Sequence, residues 1–304
     1  MIRVGVIGAG TMGQHHARVY SELGAQLIGI ADPDLGRARD LASKCGAAAC
    51  YSDYRDLISR VDAVTVSAPT SLHRQIAIDF VEHGVHCLVE KPIASSVDDG
   101  QEMVRAAERN DVLLMVGHIE RFNPIIGKLK GLLDDGSLGD LMIISTRRVG
   151  PFVPRIRDVG IIIDSATHDI DIARYLVGRE PVDVYCKARK YRHLKEDHAV
   201  VVLDFVDTVA CIEVNWFTPH KVRSLVATGS EGIASLDYIR QEMIFHNSAE
   251  YAKTFGGEWM EPLKLELEHF LGCVQGGIQP LVSGEDALGT LQTALRAEES
   301  VAHV

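Results

Sequence analysis

At 304 residues, 46% hydrophobic and 24% charged, the chain has the make-up of a folded globular protein long enough for two domains, each with its own core. A formal net charge of −11 argues against nucleic acid as the main partner, because phosphate backbones need a positive surface. No apolar run reaches the roughly 18–20 residues of a membrane span, and the six cysteines form neither a CxxC pair nor a metal-ligand spacing, so the expectation is a cytoplasmic protein with free thiols, no metal site and no membrane association.

In chain order, residues 3–7 form a short β-branched run that ends in Gly8-Ala9-Gly10-Thr11-Met12-Gly13, and a helical pattern follows over about 11–23 with Gly24 as its stop. A strand at 26–31 ends at Asp32. The alternation continues with a helix at about 34–44, a strand at 63–67, a helix at about 71–83, a strand at 86–89, a helix at about 96–109 and a strand at 112–116. Strands separated by helices of this length predict right-handed crossovers and a doubly wound parallel sheet over residues 1–120.

The glycine run is informative because of where it sits, between the first strand and the first helix. Gly8 allows the tight turn, Gly10 lets backbone approach a pyrophosphate, and Gly13 lets helix and strand pack closely, while Thr11 and Met12 open the helix whose N–H groups face the phosphates. Asp32 ends the second strand, where it can accept hydrogen bonds from the adenosine ribose and would repel a 2′-phosphate. The expected cofactor is therefore NAD; Arg37 is the one residue favouring NADP. Ligands of such sheets bind beyond the carboxyl ends of the strands, which adds Ser67, Pro69, Thr70, His73, Glu90 and Lys91 as cofactor-site candidates.

Lys91, in Glu90-Lys91-Pro92, leaves its strand where a nicotinamide would lie, and its ammonium suits the stabilisation of a developing alkoxide. Far downstream, Asp164, His168 and Asp171 follow i, i+4, i+7 spacing on a predicted helix, and a histidine beside a carboxylate suits a general base for a hydroxyl proton. A solvated helix face or a metal site would show the same spacing.

Taken together, GAGTMG, Ala68-Pro69-Thr70 with His73, Glu90-Lys91-Pro92 and the Asp-x-x-x-His-x-x-Asp of 164–171 make the chain resemble the glucose–fructose oxidoreductase/inositol dehydrogenase (Gfo/Idh/MocA) family over nearly its whole length. The resemblance implies catalysis by Lys91, His168 and Asp164. It also implies an α/β domain over residues 121–304 with a large, mostly antiparallel sheet, whose open face makes a homo-oligomer, a dimer or tetramer. Strand-like runs at 141–147, 182–189, 198–206, 208–216, 222–228 and 232–237, and helices at about 262–276 and 285–302, agree with it.

Within the family, Gly117–Pro124 (GHIERFNP), Gly150-Pro151 with Arg155, and Ile163–Asp169 (IDSATHD) resemble the branch that oxidises C3 of UDP-N-acetylglucosamine. Arg147, Arg148, Arg155 and Arg157 lie within eleven residues with no acid among them, and guanidinium groups suit a pyrophosphate clamp. The expected substrate-binding set is Lys91, Arg148, Arg155, Arg157, Asp164 and His168. An inositol or other free-sugar dehydrogenase, and a non-catalytic dinucleotide sensor, are the alternatives.

Overall fold

The computed structural model describes residues 1–152, 159–247 and 252–301. The chain forms two compact units, one of Met1–Ile119 with Glu261–Leu291, the other of Glu120–Met260 with Gln292–Val304. This corrects the expected division at residue 120: residues 261–291 return to the first unit instead of staying with the second.

In the first unit, six parallel strands lie in the order β3-β2-β1-β4-β5-β6. They are β1 (Arg3–Ile7), β2 (Gln26–Ala31), β3 (Ala49–Tyr51), β4 (Ala63–Val66), β5 (His86–Glu90) and β6 (Leu114–Gly117). Helices α1 (Thr11–Glu22), α2 (Leu35–Cys45), α3 (His73–Val81) and α4 (Val97–Arg109) alternate with them. Every residue of β4 and β6 is buried, as in a parallel sheet covered on both faces. The strand order reverses between β1 and β4, which places the ligand crevice at their carboxyl ends. Helix α7 (Pro262–Gly276) packs against α1 and is tied to it by the Arg18–Glu261 ion pair.

The second unit is built on an eight-stranded sheet in the order β14-β13-β12-β11-β7-β10-β9-β8, antiparallel throughout except where β7 runs parallel to β10. The strands are β7 (Leu141–Pro151), β8 (Asp183–Arg189), β9 (His198–Asp204), β10 (Val209–Asn215), β11 (Phe217–Gly229), β12 (Gly232–Asp237), β13 (Glu242–Asn247) and β14 (Lys253–Phe255). Their inner face forms one core with α5 (Pro124–Asp134) and α6 (Thr167–Val177), including Ile126, Leu129, Ile170, Ala173, Val201 and Ile212. Helix α8 (Gly284–Glu299) begins in the first unit and ends in the second.

Burial alternates cleanly along β8 and β9; the sequence of β9 blurs it, because its outward Val200 and Val202 are themselves apolar. One outward row runs Tyr185, Val202, Cys211, Ser145, Val226, Ser235 and Ile244 across successive paired strands. Tyr185 and Ile244 in that row are 56% and 43% exposed. Among the described residues no helix is long and apolar enough to cross a membrane.

Candidate active site

At the carboxyl end of β1 the chain must turn within one residue, and Gly8 does so at φ +97°. A Cβ on Gly13 would stand 1.8 Å from the Gly8 carbonyl oxygen, so only glycine lets α1 start this close to the strand. The Ser67 hydroxyl, at the end of neighbouring β4, donates to the carbonyls of Ile7 (3.0 Å) and Gly8 (3.2 Å) and holds the turn from the side.

Gly10 is different. It is exposed, and a Cβ built on it meets nothing within 4 Å, so open space lies where a phosphate would approach the backbone. Side chains cap other helices of the chain, Asp34 on α2, Ser96 on α4 and Asn123 on α5, but at Gly10 no side chain among the described residues caps the α1 amides. These amides, at Thr11 and Met12, are thereby left to an anion.

Asp32 stands at the end of β2 with Oδ2 accepting from Ala9 N–H (2.7 Å) and Oδ1 from Asp34 N–H (2.9 Å). The carboxylate is thus pinned beside the glycine turn, as a ribose acceptor must be. Arg37 lies one turn into α2, exposed and paired with Asp34 at 3.2 Å. Pro69 and Thr70 lead into a 3-10 turn at the end of β4. These residues fit a dinucleotide.

His73 departs from expectation as a ligand contact. It is buried, and its two ring nitrogens lie 2.9 Å from the Ala68 carbonyl and 3.0 Å from the Pro92 carbonyl, so it ties two strand-end loops together and has no nitrogen left for a cofactor. Burial pushes its pKa down more than the two carbonyls raise it.

Glu90 likewise turns inward. Its Oε1 takes a hydrogen bond from His16 Nε2 at 2.7 Å, between β5 and α1. Burial works against the carboxylate, but the His16 hydrogen bond and the His16 and Lys91 charges outweigh it and hold its pKa below the usual range. Lys91 follows at the strand end, half-buried, and is joined to Pro92 by a cis peptide bond.

In the second unit, the predicted catalytic helix is not regular from its start. Ile162–Ala166 form a π turn, and the α-helix proper begins at Thr167. The Thr167 hydroxyl donates to the Ile163 carbonyl at 2.8 Å, a side-chain bond that competes with the helix ladder where the turn widens. Asp164 lies in the widened turn, accepting from the Ser165 hydroxyl at 2.9 Å, and His168 in the first α turn; both are half-buried. Asp171 does not join them. It is buried in a two-pronged pair with Arg121, at 2.6 and 2.8 Å.

The arginine cluster is dispersed. Arg147 and Arg148 are neighbours on β7 and therefore point to opposite faces of the sheet. Arg147 goes outward and pairs with Glu213 at 3.1 Å. Arg148 goes inward, where Asp169 takes Nε (2.7 Å) and Nη2 (3.2 Å), Glu120 takes Nη1 (2.9 Å), and the Tyr238 ring lies 5.5 Å away. Arg148 is 6% exposed and committed to two carboxylates, which corrects the expectation that it clamps a pyrophosphate. Burial opposes its charge, yet the two carboxylates raise its pKa above the ordinary guanidinium value. Arg155 and Arg157 lie outside the described residues.

Sequence reasoning missed Arg223, directly across from Arg148 on β11. It is partly exposed, 3.5 Å from Glu120, and within Coulombic reach of Asp164. The signal was the pairing register, which only the sheet reveals.

Comparison with known proteins decides which family the chain belongs to. The profile of the "Oxidoreductase family, NAD-binding Rossmann fold" matches residues 2–118, and that of the "GFO/IDH/MocA C-terminal domain" matches residues 126–235. The chain belongs to the Gfo/Idh/MocA family.

It is an NAD-dependent oxidoreductase of that family. Relatives align end to end. UDP-N-acetylglucosamine 3-dehydrogenase of Acidithiobacillus ferrooxidans is 29% identical over 99% of this chain and 97% of its own length. Scyllo-inositol 2-dehydrogenase (NAD(+)) of Bacillus subtilis is 30% identical over 98% and 94%. The solved structure of the Acidithiobacillus enzyme superposes with a TM-score of 0.92 at 28% identity, covering 99% of this chain and 97% of that one. Levoglucosan dehydrogenase in complex with NADH and levoglucosan shares the fold, with a TM-score of 0.92 at 22% identity.

Proposed function

We propose that the chain oxidises a secondary hydroxyl of a sugar to the ketone, and that the sugar is UDP-N-acetylglucosamine, oxidised at C3. The observation that carries the chemistry is the pairing of an open, uncapped glycine turn after β1 with Lys91 at the same end of β5, two strands away in one parallel sheet. NAD⁺, when bound, supplies the hydride acceptor. Gly8, Gly10, Thr11, Met12, Gly13, Asp32, Ser67, Pro69 and Thr70 shape its berth, with Glu90 holding the base of Lys91 from behind. Lys91 polarises the substrate oxygen and stabilises its alkoxide character. His168 takes the hydroxyl proton, and Asp164 orients the histidine and the sugar.

Similarity to the Acidithiobacillus enzyme supports the nucleotide-sugar substrate. With Arg148 enclosed, the charge available to a diphosphate in the second unit falls to Arg223, together with Arg155 and Arg157. The test is turnover: enzyme with NAD⁺ and UDP-N-acetylglucosamine should produce NADH absorbance. A second reading, an inositol dehydrogenase, is favoured by the similar identity to the Bacillus enzyme, 30% against 29%. NADH formation from an inositol and none from the UDP-sugar would select it.

We infer also that the outward face of the second unit's sheet pairs with a second copy of the chain. Its central row of Tyr185, Val202, Cys211, Val226 and Ile244, spaced by serines, is apolar, as a surface that meets its own copy must be.

A further inference from the structure

The nucleotide-binding unit contains a carboxylic acid that none of these roles uses. Glu266, on α7, is 1% exposed, and both its carboxyl oxygens are buried with no hydrogen-bond partner among the described residues. It lies close to Glu90. A methyl group built on Gly117 would stand 3.4 Å from Glu90 Oε2 and 3.6 Å from Glu266 Oε1, so the two oxygens lie within about 7 Å of each other, beside the same glycine.

The surroundings decide which of the two keeps a charge. Glu90 faces His16 on α1, hydrogen-bonded at 2.7 Å, and feels Lys91 beside it and His73 on α3. Glu266 faces Glu90 and the Tyr20 of α1, whose hydroxyl is bonded to Thr65 at 2.7 Å. An ionised carboxylate with no donor, buried beside another carboxylate, is far more costly than a neutral acid.

We propose that Glu266 is a positioning residue that works as a neutral acid: its O–H reaches Glu90 Oε2 through one bridging water, so the two carboxyls carry a single negative charge, held on Glu90 behind Lys91. The two oxygens are not directly hydrogen-bonded and are no more than about 7 Å apart, which leaves room for a bridging water with a donor on one side and an acceptor on the other. Burial and the Glu90 charge both push the Glu266 pKa well up, in keeping with this assignment. The role rests on the dehydrogenase reading of Lys91; the protonation does not.

The experiment uses the full-length protein and has two parts. In isotope-edited infrared spectra near neutral pH, the wild type should show a protonated glutamic-acid band that Glu266→Gln abolishes. Glu266→Gln should also gain stability over the wild type as pH rises above the ordinary glutamate range, and the difference should vanish in acid. No band, or unfolding midpoints that run parallel with pH, would overturn the proposal.

In turnover, Glu266→Gln should keep kcat within about twofold, while Glu266→Met should lower it about tenfold with the KM for NAD unchanged. Gly117→Ala, whose methyl would contact both oxygens without a clash, should crowd the bridging water and reproduce that loss, and decides the matter if Glu266→Met fails to fold. Wild-type kcat in both Glu266→Met and Gly117→Ala would reduce Glu266 to filler and sink the positioning role. A wild type that turns over no sugar would defeat the dehydrogenase reading, while the infrared band and the pH dependence would still decide the protonation of Glu266.

Discussion

Two adjacent arginines show how much a single position on a strand decides. Arg147 and Arg148 look interchangeable in the sequence, but one meets Glu213 on an open face and the other is closed in by Asp169 and Glu120. Arg148→Ala would leave buried Asp169 without its ion-pair partner and Glu120 with Arg223 alone, and should destabilise the protein by about 3–5 kcal/mol in urea unfolding. Arg147→Ala, which breaks a half-exposed pair, should change stability by about 1 kcal/mol or less. A loss of equal size in both variants would contradict the assigned faces.

The paired glutamates carry opposite linkage. Glu90 has a lowered folded pKa, so the stability it lends is present above its unfolded value and is lost as pH falls through the folded one. Glu266 has a raised folded pKa, so the folded chain retains a proton that the unfolded chain releases above pH of about 4.3. Its contribution therefore worsens by up to about 1.4 kcal/mol per pH unit until the folded group itself titrates. That slope is what Glu266→Gln should remove, and chemical denaturation at a series of pH values would measure it.

The glycine turn separates two roles that one motif combines. Gly13→Ala drives a methyl into the Gly8 carbonyl and should destabilise the first unit, lowering the thermal midpoint even without cofactor. Gly10→Ala has room in the apo protein, so its thermal midpoint should match the wild type while NAD affinity, by calorimetry, falls about tenfold. Equal NAD binding by wild type and Gly10→Ala would remove Gly10 from the phosphate cradle.

The alternation of strand and helix in the first unit was legible because each element is long enough to show its period and is punctuated by glycine or aspartate. β3 was not, having three residues and no flanking signal. β13, β14 and α5 also escaped the sequence reading; α5 is capped by Asn123 and starts with Pro124, a start signal obscured by the GHIERFNP motif that overlaps it. The widened turn at 162–166 has no sequence signature, since Thr167 looks like any helix residue until its hydroxyl is seen on Ile163. Lys91, Asp164 and His168 could be named from spacing, but Glu120, Asp169, Arg223 and Glu266 could not. Their importance comes from partners 21 to well over 100 residues away or from having none.

For the whole molecule, the apolar row on the outer sheet face is where self-association can be tested. Val226→Arg places a charge at the centre of that row, between Ser145 and Ser235, without touching the inner core. In light scattering the wild type should have at least twice the mass of one chain, and the variant the mass of one. A wild type that is already a single chain at micromolar concentration would dismiss the interface.

The path of the backbone between the units has a practical consequence. The first unit is completed by residues 261–291, including the helix bearing Leu263, Leu267 and Phe270, all buried, and Glu266. A chimera made by transplanting residues 1–119 onto a relative's remainder would therefore join most of a nucleotide module to a foreign closing segment. The graft has to travel as two pieces of polypeptide, and a truncation at residue 120 would not yield a module able to stand by itself.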